Sequence, residues 1–408
     1  MSGLNPAGEL ARSNSETYLS LMNQTADVVV IGAGVHGVST AFHLAKAGAG
    51  RVVVVDKAGV ASGPTAKSGA MMRPIFTEAP YIQLVMEATQ MMENWGERVG
   101  GDAGFAEPGF LRFTQGFGEA ELGGDLDLMK QLGVEFEVVD ASVLRSRVPD
   151  AAFRHDERGL WLPRAGYADP VRTTRTLARA AVRHGAAVLE GVQVTGLTAP
   201  GSRIESVQTD QGTIHTRTVV NCAGPWSARL AAGIGVTLPI ETHSGGTSLF
   251  QRPEGIPAGS PILSDGVNQV YLREVSDTVL RASHFGWTHN PVDPDGYDET
   301  ISARHLASLR EDLTKRFESM RRAIYAGGFS AIYDMTPDAH PIIGNIGGVA
   351  GFWCNCGWSG NGFASAPAVG GHLAARIAGK TSGVDLGMFA WPRPPETKKR
   401  PDGNWIRR

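Results

Sequence analysis

The chain has 408 residues, of which 42% are hydrophobic and 19% are charged, with a formal net charge of −3 and 52 glycines. This length predicts two domains, or three, each large enough to bury its own core. Because there is no basic excess to neutralise phosphates, we expect no nucleic-acid partner.

The N-terminal residues 1–24 are polar and lack the basic start and apolar core of a secretory signal, so we interpret them as an N-terminal extension. The longest apolar stretch near the start, residues 28–34, is too short to span a bilayer. The chain has three cysteines, Cys222, Cys354 and Cys356. So small and odd a number does not indicate a disulfide framework. We therefore expect a cytoplasmic protein with free, buried thiols and no membrane span.

Residues 26–56 predict a strand–helix–strand unit at the start of the globular part. Residues 28–31 form a short run rich in β-branched side chains, which is typical of a buried parallel strand. Apolar residues then recur at helical spacing until Gly48, and a second β-branched run over residues 52–55 ends at Asp56.

Strand and helix patterns then alternate less regularly along the chain. In chain order we predict a helix over 78–99, short strands and one helix over 105–139, a helix from Pro170, a strand over 187–194, a hairpin over 204–224, a mostly antiparallel sheet over 236–290, and helices over 302–320 and 366–379.

The turn after the first strand, residues 32–37, reads G-A-G-V-H-G and has the G-x-G-x-x-G spacing of dinucleotide-binding loops. Gly32 permits the tight turn, Gly34 lets the backbone approach a diphosphate, and Gly37 allows the helix to pack closely on the strand. The diphosphate would lie at the helix N-terminus, and Asp56 could accept a hydrogen bond from a ribose hydroxyl. The motif predicts dinucleotide binding but leaves NAD and FAD as alternatives.

Three further segments favour FAD: residues 61–73 (ASGPTAKSGAMMR), residues 218–227 (TVVNCAGPWS), and the pair of residues 333–344 and 356–363 (CGWSGNGF). With the glycine motif, and in this order, they resemble the D-amino-acid oxidase superfamily, in particular its sarcosine oxidase, dimethylglycine dehydrogenase and glycine oxidase branch. The resemblance runs from about residue 27 to residue 379.

The resemblance implies an α/β fold in which a Rossmann-like FAD-binding domain (25–98, 165–235 and 335–385) is interrupted by an α+β substrate domain (99–164 and 236–334) built on a mainly antiparallel sheet. Residues 386–408 would form a C-terminal tail. Because no cysteine of this chain matches the one that binds flavin covalently in some relatives, we expect non-covalent FAD. The cofactor-binding residues implied are Gly32, Gly34, Val35, His36, Gly37, Asp56, Lys57, Ser68, Gly69, Met71, Val194, Ala223, Gly224, Trp226, Gly360, Asn361, Gly362 and Phe363.

The resemblance also implies three substrate-side residues. Arg73 matches an arginine that binds the substrate carboxylate, although it could serve the flavin or a structural carboxylate instead. Tyr271 matches a tyrosine that contacts the substrate carboxylate, with a half-buried sheet tyrosine as the alternative. Arg281 lies where some relatives carry a lysine that promotes reaction with oxygen, with a solvent-facing strand arginine as the alternative.

Two usual carboxylate anchors of the family are absent, because their positions fall at Ala364 and near Phe329. This departure favours a larger or N-substituted amino acid over glycine or plain sarcosine. His243, His284 and Trp358 are candidates for the pocket wall without an assigned role, and no metal site is expected.

The sequence therefore predicts an FAD-dependent oxidase that removes hydride from the carbon next to the nitrogen of an amino acid or N-substituted amino acid. The imine product would hydrolyse, and molecular oxygen would reoxidise the flavin and form hydrogen peroxide. The alternatives are a dehydrogenase that passes electrons to a protein or quinone, and a weakly catalytic FAD-binding subunit of a larger complex.

Overall fold

The computed structural model describes residues 25–115, 125–285 and 291–393. The predicted N-terminal extension (1–24) and residues 394–408 of the predicted tail lie outside the described residues.

The described residues form the following strands and α-helices. The strands are β1 (Val28–Ile31), β2 (Val52–Asp56), β3 (Met71–Met72), β4 (Phe110–Gln115), β5 (Glu137–Asp140), β6 (Glu157–Leu162), β7 (Gly166–Tyr167), β8 (Ala187–Glu190), β9 (Val194–Thr198), β10 (Ser206–Thr209), β11 (Gly212–His215), β12 (Val219–Asn221), β13 (Glu241–Gln251), β14 (Ile262–Asp265), β15 (Val270–Ser276), β16 (Val279–His284), β17 (Tyr325–Met335), β18 (Ile342–Asn345) and β19 (Phe352–Cys356). The α-helices are α1 (Val35–Lys46), α2 (Ala79–Glu93), α3 (Trp95–Arg98), α4 (Leu126–Gln131), α5 (Ala141–Arg147), α6 (Pro170–Arg183), α7 (Ser227–Ala232), α8 (Ala303–Arg316) and α9 (Gly362–Ile377).

A six-stranded sheet in the order β18-β19-β12-β1-β2-β8 forms the first domain. All neighbours in it pair in parallel except β18 and β19, which are antiparallel. Since successive side chains of a strand point to opposite faces, β1 directs Val28 and Val30 towards one core and Val29 and Ile31 towards another.

Different layers cover the two faces of this sheet. Helices α1, α2, α6 and α9 pack together on one face, around buried side chains such as Phe42, Leu177 and Val369. The small antiparallel sheet β11-β10-β9 covers the other face through Val207 and Ile214. Because both faces are covered, β1 is apolar from Val28 to Ile31 and β2 from Val52 to Val55, as their sequences predict.

An eight-stranded sheet in the order β17-β13-β16-β15-β14-β4-β6-β5 forms the second domain. Its strands pair antiparallel except β14 and β4, which are parallel. One face packs against α8, where Leu309, Leu313 and Phe317 join a separate apolar core. The predicted fold class, a Rossmann-like domain with a second, mainly antiparallel domain, is confirmed.

Two predicted helices differ from the structure at their ends. The predicted helix over 78–99 is broken at Asn94, whose φ of −112° and ψ of 28° leave the helical region between α2 and α3. Helix α9 starts at Gly362, four residues before the predicted start at residue 366. Glycine has low intrinsic helix propensity, so its place in the first turn depends on packing that the local sequence does not reveal. Within the described ranges, no helix has the length and apolar character needed to cross a bilayer.

Candidate functional site

An elongated cavity of about 590 Å³ opens where the parallel strands of the six-stranded sheet end. Ile31, Val55, Cys222 and Asn355, from the ends of β1, β2, β12 and β19, line it. The chain leaves β1 in one direction towards β2 and later returns on its other side as β12, so this edge is a topological switch point. Crevices at such points are the usual ligand sites of open α/β sheets.

A glycine turn forms one end of the cavity. Gly32 has a φ of +103°, and a Cβ there would lie 2.5 Å from the carbonyl oxygen of Cys222. A Cβ on Gly37 would lie 1.8 Å from the carbonyl oxygen of Gly32, so α1 packs directly on the turn. The result is an exposed backbone cradle at the N-terminus of α1, which suits a diphosphate.

Asp56 fastens this turn to the end of β2. Its Oδ2 accepts a hydrogen bond from Ala33 N at 2.7 Å, and its Oδ1 accepts from Ala58 N and Gly59 N at 2.8 and 2.9 Å. A carboxylate has about four acceptor positions, so Asp56, which lines the cavity, can still accept from a ribose hydroxyl.

A second helix N-terminus also lines the cavity. Gly360, Asn361 and Gly362 line it at the start of α9, and Gly360 has a φ of +83°. Asn361 occupies the N-cap position without capping the helix through its side chain. Its buried Nδ2 has no hydrogen-bond partner within the described residues, so a donor remains for a ligand.

Two aromatic rings that line the cavity join the two helix N-termini, because His36 lies in the first turn of α1 and Trp358 precedes α9. His36 and Trp358 stack at 4.2 Å between ring centroids with an interplanar angle of 10°. Burial lowers the pKa of His36 to about 3, so its ring is neutral across the physiological range. The two rings therefore give the cavity an uncharged aromatic surface, which suits an aromatic ligand.

A buried cation, Arg73, lies on the cavity wall next to Phe76. Arg73 is 6% exposed, and its guanidinium carbon lies 5.9 Å from the ring of Phe76 and 5.7 Å from that of Phe110. Aromatic neighbours hold a guanidinium in place while excluding water, which strengthens its attraction for a carboxylate.

Tyr271 lies on the same wall and is also buried. Burial opposes its ionisation, but the charge of Arg281 and hydrogen bonds with Ser283 and Arg281 outweigh it, so the pKa of Tyr271 lies below its ordinary value. The hydroxyl of Tyr271 thus lies in a positive environment that also favours an anionic ligand.

Arg281 does not take the solvent-facing position that was one of its two sequence-based alternatives. It is buried rather than solvent-facing, and it is not among the residues that line the cavity. Its guanidinium donates to the carbonyl oxygens of Ser68 at 2.6 Å and Lys67 at 3.2 Å, while the opposite strand's Arg273 donates to Gly69 O at 2.7 Å. Both arginines therefore hold the loop that carries the predicted cofactor contacts Ser68 and Gly69. A role of Arg281 in the reaction with oxygen stays a prediction.

Asp334, at the end of β17, is a carboxyl group on the cavity wall. It accepts a hydrogen bond from Gly357 N at 2.6 Å. Burial is the main cause that raises the pKa of Asp334 to about 6, and burial likewise raises the pKa of its neighbour Tyr333 to about 12. The ionised form of Asp334 is therefore costly in the folded chain.

We expect Asp334→Asn to stabilise the protein at alkaline pH. The folded-state pKa of about 6 lies above the ordinary value of 3.8, so the contribution of Asp334 to stability falls as pH rises from ~4 through ~6. The variant should gain ~1–3 kcal/mol at pH ~8 and little near pH ~4, since one pKa unit corresponds to ~1.4 kcal/mol. Urea unfolding across this range measures the difference; a pH-independent difference would contradict the assignment.

The cavity brings together most of the predicted site residues. Those that line it are Gly32, Gly34, Val35, His36, Asp56, Lys57, Ser68, Gly69, Met71, Arg73, Val194, Ala223, Gly224, Trp226, Tyr271, Gly360, Asn361, Gly362 and Phe363. Gly37 does not line the cavity but packs against Gly32, which does. His284 and Trp358 also line the cavity, whereas His243 does not and lies 3.3 Å from Glu241.

Sequence reasoning missed several residues of the wall. Thr65 accepts a hydrogen bond from Val35 N at 3.2 Å at the start of α1, and Arg229 and Asp295 line the cavity from distant parts of the chain. The acidic composition of residues 293–299 was the available signal for Asp295, but nothing local indicated where that segment folds.

The three thiols are buried and form no disulfide, and burial raises the pKa of Cys222 and of Cys354 well above the ordinary thiol value. No group of His, Cys, Asp and Glu suited to a metal ion occurs within the described part of the chain.

These features fit FAD. A glycine cradle at one helix N-terminus, a neutral aromatic wall and a second helix N-terminus with a free amide donor would hold a diphosphate, a planar ring system and the ring's polar edge.

Comparison with known proteins agrees with this fit. A family model described as FAD dependent oxidoreductase (DAO) matches residues 27–376. The chain is 28% identical over 368 residues to mitochondrial sarcosine dehydrogenase of Mus musculus, covering 86% of this chain and 39% of that protein. It is 27% identical over 359 residues to sarcosine oxidase subunit beta of an Arthrobacter species, covering 86% of this chain and 87% of that subunit. The chain thus spans less than half of the first relative and most of the second.

Solved structures show the same architecture. L-Proline dehydrogenase from P. horikoshii superposes with a TM-score of 0.83 at 25% identity, covering 90% of this chain and 97% of that one. Glycine oxidase from Geobacillus kaustophilus superposes with a TM-score of 0.78 at 24% identity, covering 90% and 98%. At 24% identity, the likeness to glycine oxidase concerns the fold alone.

Proposed function

The chain belongs to the DAO family of FAD-dependent oxidoreductases, and we propose that it oxidises the carbon next to the nitrogen of an amino acid or N-substituted amino acid. The observation that carries the proposal is the buried guanidinium of Arg73 on the wall of the cavity that also contains the glycine cradle. A buried cation there supports a substrate with a carboxylate next to the oxidised carbon.

The residues of this chain would act mainly by positioning. Arg73 would hold the carboxylate through two parallel hydrogen bonds, and Tyr271 would add a third contact from the same wall. The neighbouring rings of Phe76 and Trp358 would exclude water from the reacting carbon. A dry wall also favours the neutral amine, the form whose α-hydrogen can leave as hydride. Bound FAD would accept that hydride.

The residue at the position of the missing lysine anchor, Ala364, supports a substrate larger than glycine. Ala364 lies in the first turn of α9, is buried and lines the cavity. A methyl group there leaves room that a long cationic side chain would fill. We propose a secondary amino acid or one with a bulky substituent, and the relatives that act on sarcosine and proline by name support this range.

FAD binding is tested first. The purified chain, reconstituted with FAD, should show the visible absorbance of oxidised flavin, and heat or acid denaturation should release the flavin into the supernatant. Flavin that stays with the precipitated polypeptide would contradict non-covalent binding. A chain that acquires no flavin absorbance would contradict the proposed function itself.

The electron acceptor is proposed to be molecular oxygen, with hydrogen peroxide as the product. The alternative is a protein or quinone acceptor, which the likeness to sarcosine dehydrogenase and L-proline dehydrogenase supports. Peroxide formed per substrate oxidised separates the two: a ratio near unity in air supports the oxidase. Slow reoxidation in air with rapid bleaching of an artificial dye supports the dehydrogenase.

A partner subunit is the remaining alternative, and the match over 87% of a protein named as a subunit supports it. In that case the isolated chain would bind FAD yet oxidise none of the amines tested, and would gain activity only when combined with the partner.

A further inference from the structure

An acidic segment of the second domain, residues 292–299, crosses the cofactor cavity of the first domain. We call these residues the acidic strap. Its two ends are tied to the eight-stranded sheet, because Val292 N donates to Thr242 O at 2.7 Å and Ser330 N donates to Glu299 O at 2.8 Å. Between these ties it carries four acidic side chains, Asp293, Asp295, Asp298 and Glu299.

Asp295 is the central contact of the acidic strap. Its Oδ1 accepts from Lys57 Nζ at 2.7 Å and from Trp226 Nε1 at 2.8 Å, and its Oδ2 accepts from Arg229 Nη1 at 2.8 Å. Lys57 follows the end of β2, whereas Trp226 and Arg229 follow β12, so one carboxylate joins two walls of the cavity. All four of these residues line it.

Three further contacts hold the acidic strap in place. Asp293 Oδ1 accepts from Arg229 Nη2 at 2.8 Å. Lys67, on the loop that Arg281 holds, donates to Tyr297 Oη at 2.8 Å and lies 3.0 Å from Glu299 Oε2. Hydrogen bonds from Lys57 and Lys67 are the largest causes that lower the pKa of Asp295 and of Glu299, so both carboxylates stay ionised at neutral pH.

The crossing lies at the glycine-cradle end of the cavity. Lys57 directly follows Asp56, and its Nζ lies 3.9 Å from the ring centroid of Trp226. The adenosine part of a dinucleotide in the cradle would lie beneath these side chains. A dinucleotide that leaves or enters the cavity by this route requires the ion pairs of Asp295 to break.

From this geometry we propose that the acidic strap retains the cofactor: its ion pairs with Lys57 and Arg229 close the adenosine end of the cavity, its ion pair with Lys67 holds the strap on the loop at Ser68, and opening of the Asp295 ion pairs governs FAD release. The proposal rests on FAD binding and not on the amine substrate. Isolated exposed ion pairs contribute little to folding stability, but here they form a network across one opening. Side chains of Lys57 and Asp295 are 41% and 48% exposed, so salt should weaken the network.

The test measures how fast FAD leaves the holoprotein, from the rise of free-flavin fluorescence after dilution, at low and at high sodium chloride. We expect high salt to accelerate wild-type release by ~10-fold. Asp295→Asn should release FAD ~10-fold faster at low salt and respond little to added salt.

Asp298→Asn is the matched control, because it removes the same charge from the same segment while Asp298 contacts only Thr300 within the described residues. If it releases FAD as fast as Asp295→Asn, the effect is one of net charge and the proposal is overturned. The proposal also fails if Asp295→Asn releases FAD at the wild-type rate.

Asp293→Asn provides a milder second variant, since it removes the charge of the outer ion pair with Arg229 and leaves Asp295 and its partners in place. A ~3-fold faster release at low salt supports the proposal, even if Asp295→Asn does not fold. If Asp293→Asn and Asp295→Asn both fold and both release FAD at the wild-type rate, the proposal is overturned. A wild-type chain that binds no FAD would instead overturn the proposed function.

Discussion

We expect Gly37→Ala to weaken FAD binding ~10- to 100-fold, because overpacking a tight contact costs about 1–3 kcal/mol. A Cβ at residue 37 would lie 1.8 Å from the carbonyl oxygen of Gly32, and neither atom belongs to a flexible side chain. The helix N-terminus must therefore move away from the turn, which removes the cradle. Titration of the flavin-free chain with FAD, followed by fluorescence quenching, measures the loss.

Gly233→Ala is the matched control for this substitution. Gly233 has a φ of −61°, which alanine adopts readily, and its added Cβ would lie 3.4 Å from the carbonyl oxygen of Leu230, an ordinary contact. It should bind FAD as the wild type does. Wild-type affinity in a folded Gly37→Ala variant would show that the turn does not hold the cofactor.

Arg73→Ala should raise the KM of a carboxylate substrate by at least ~30-fold, because removing one partner of a buried charge pair costs about 2–5 kcal/mol. Arg73→Lys keeps the charge but loses the planar fork, so we expect a smaller rise of ~10-fold. Both variants should still bind FAD. Steady-state kinetics with an amine that bleaches the wild-type flavin measures these ratios.

Arg164→Ala serves as the control for the loss of an arginine. Arg164 is exposed and pairs with Glu93 and Glu107 on the surface. Its kinetics should match those of the wild type. If Arg73→Ala and Arg73→Lys also retain wild-type KM, the substrate carboxylate is held elsewhere and the orientation proposed for the substrate is wrong.

The parts of the fold predicted best from sequence are those set by short-range patterns. The β-branched run of β1, the glycine turn and the helical spacing of α1 lie within nineteen residues, from Val28 to Lys46, and each element's signal is local. The cofactor end of the site follows from them, because a glycine turn between a buried strand and a helix has one conformation that fits its spacing.

The parts missed depend on long-range packing. Asp295 and Lys57 are 238 residues apart, and the hydrogen bonds from Arg281 to the loop at Ser68 connect residues 213 apart. The strand pattern around Arg281 does not show which layer covers it, so the sequence leaves a solvent-facing side chain open as an alternative, whereas the side chain is buried. Two buried arginines face each other on β15 and β16, and only the paired register of Arg273 with Arg281 shows that both contact the same loop.

The central claim, FAD-dependent oxidation next to an amine nitrogen, is tested most directly by anaerobic mixing of the FAD-bound protein with a panel of amines. The panel contains glycine, sarcosine, proline and longer N-alkyl amino acids, with the matching 2-hydroxy acids as controls. We predict that a secondary amino acid bleaches the visible absorbance of the flavin without any added acceptor, whereas its hydroxy-acid counterpart does not. Bleaching by the hydroxy acids alone, or by dithionite but by no amine of the panel, would contradict the claim.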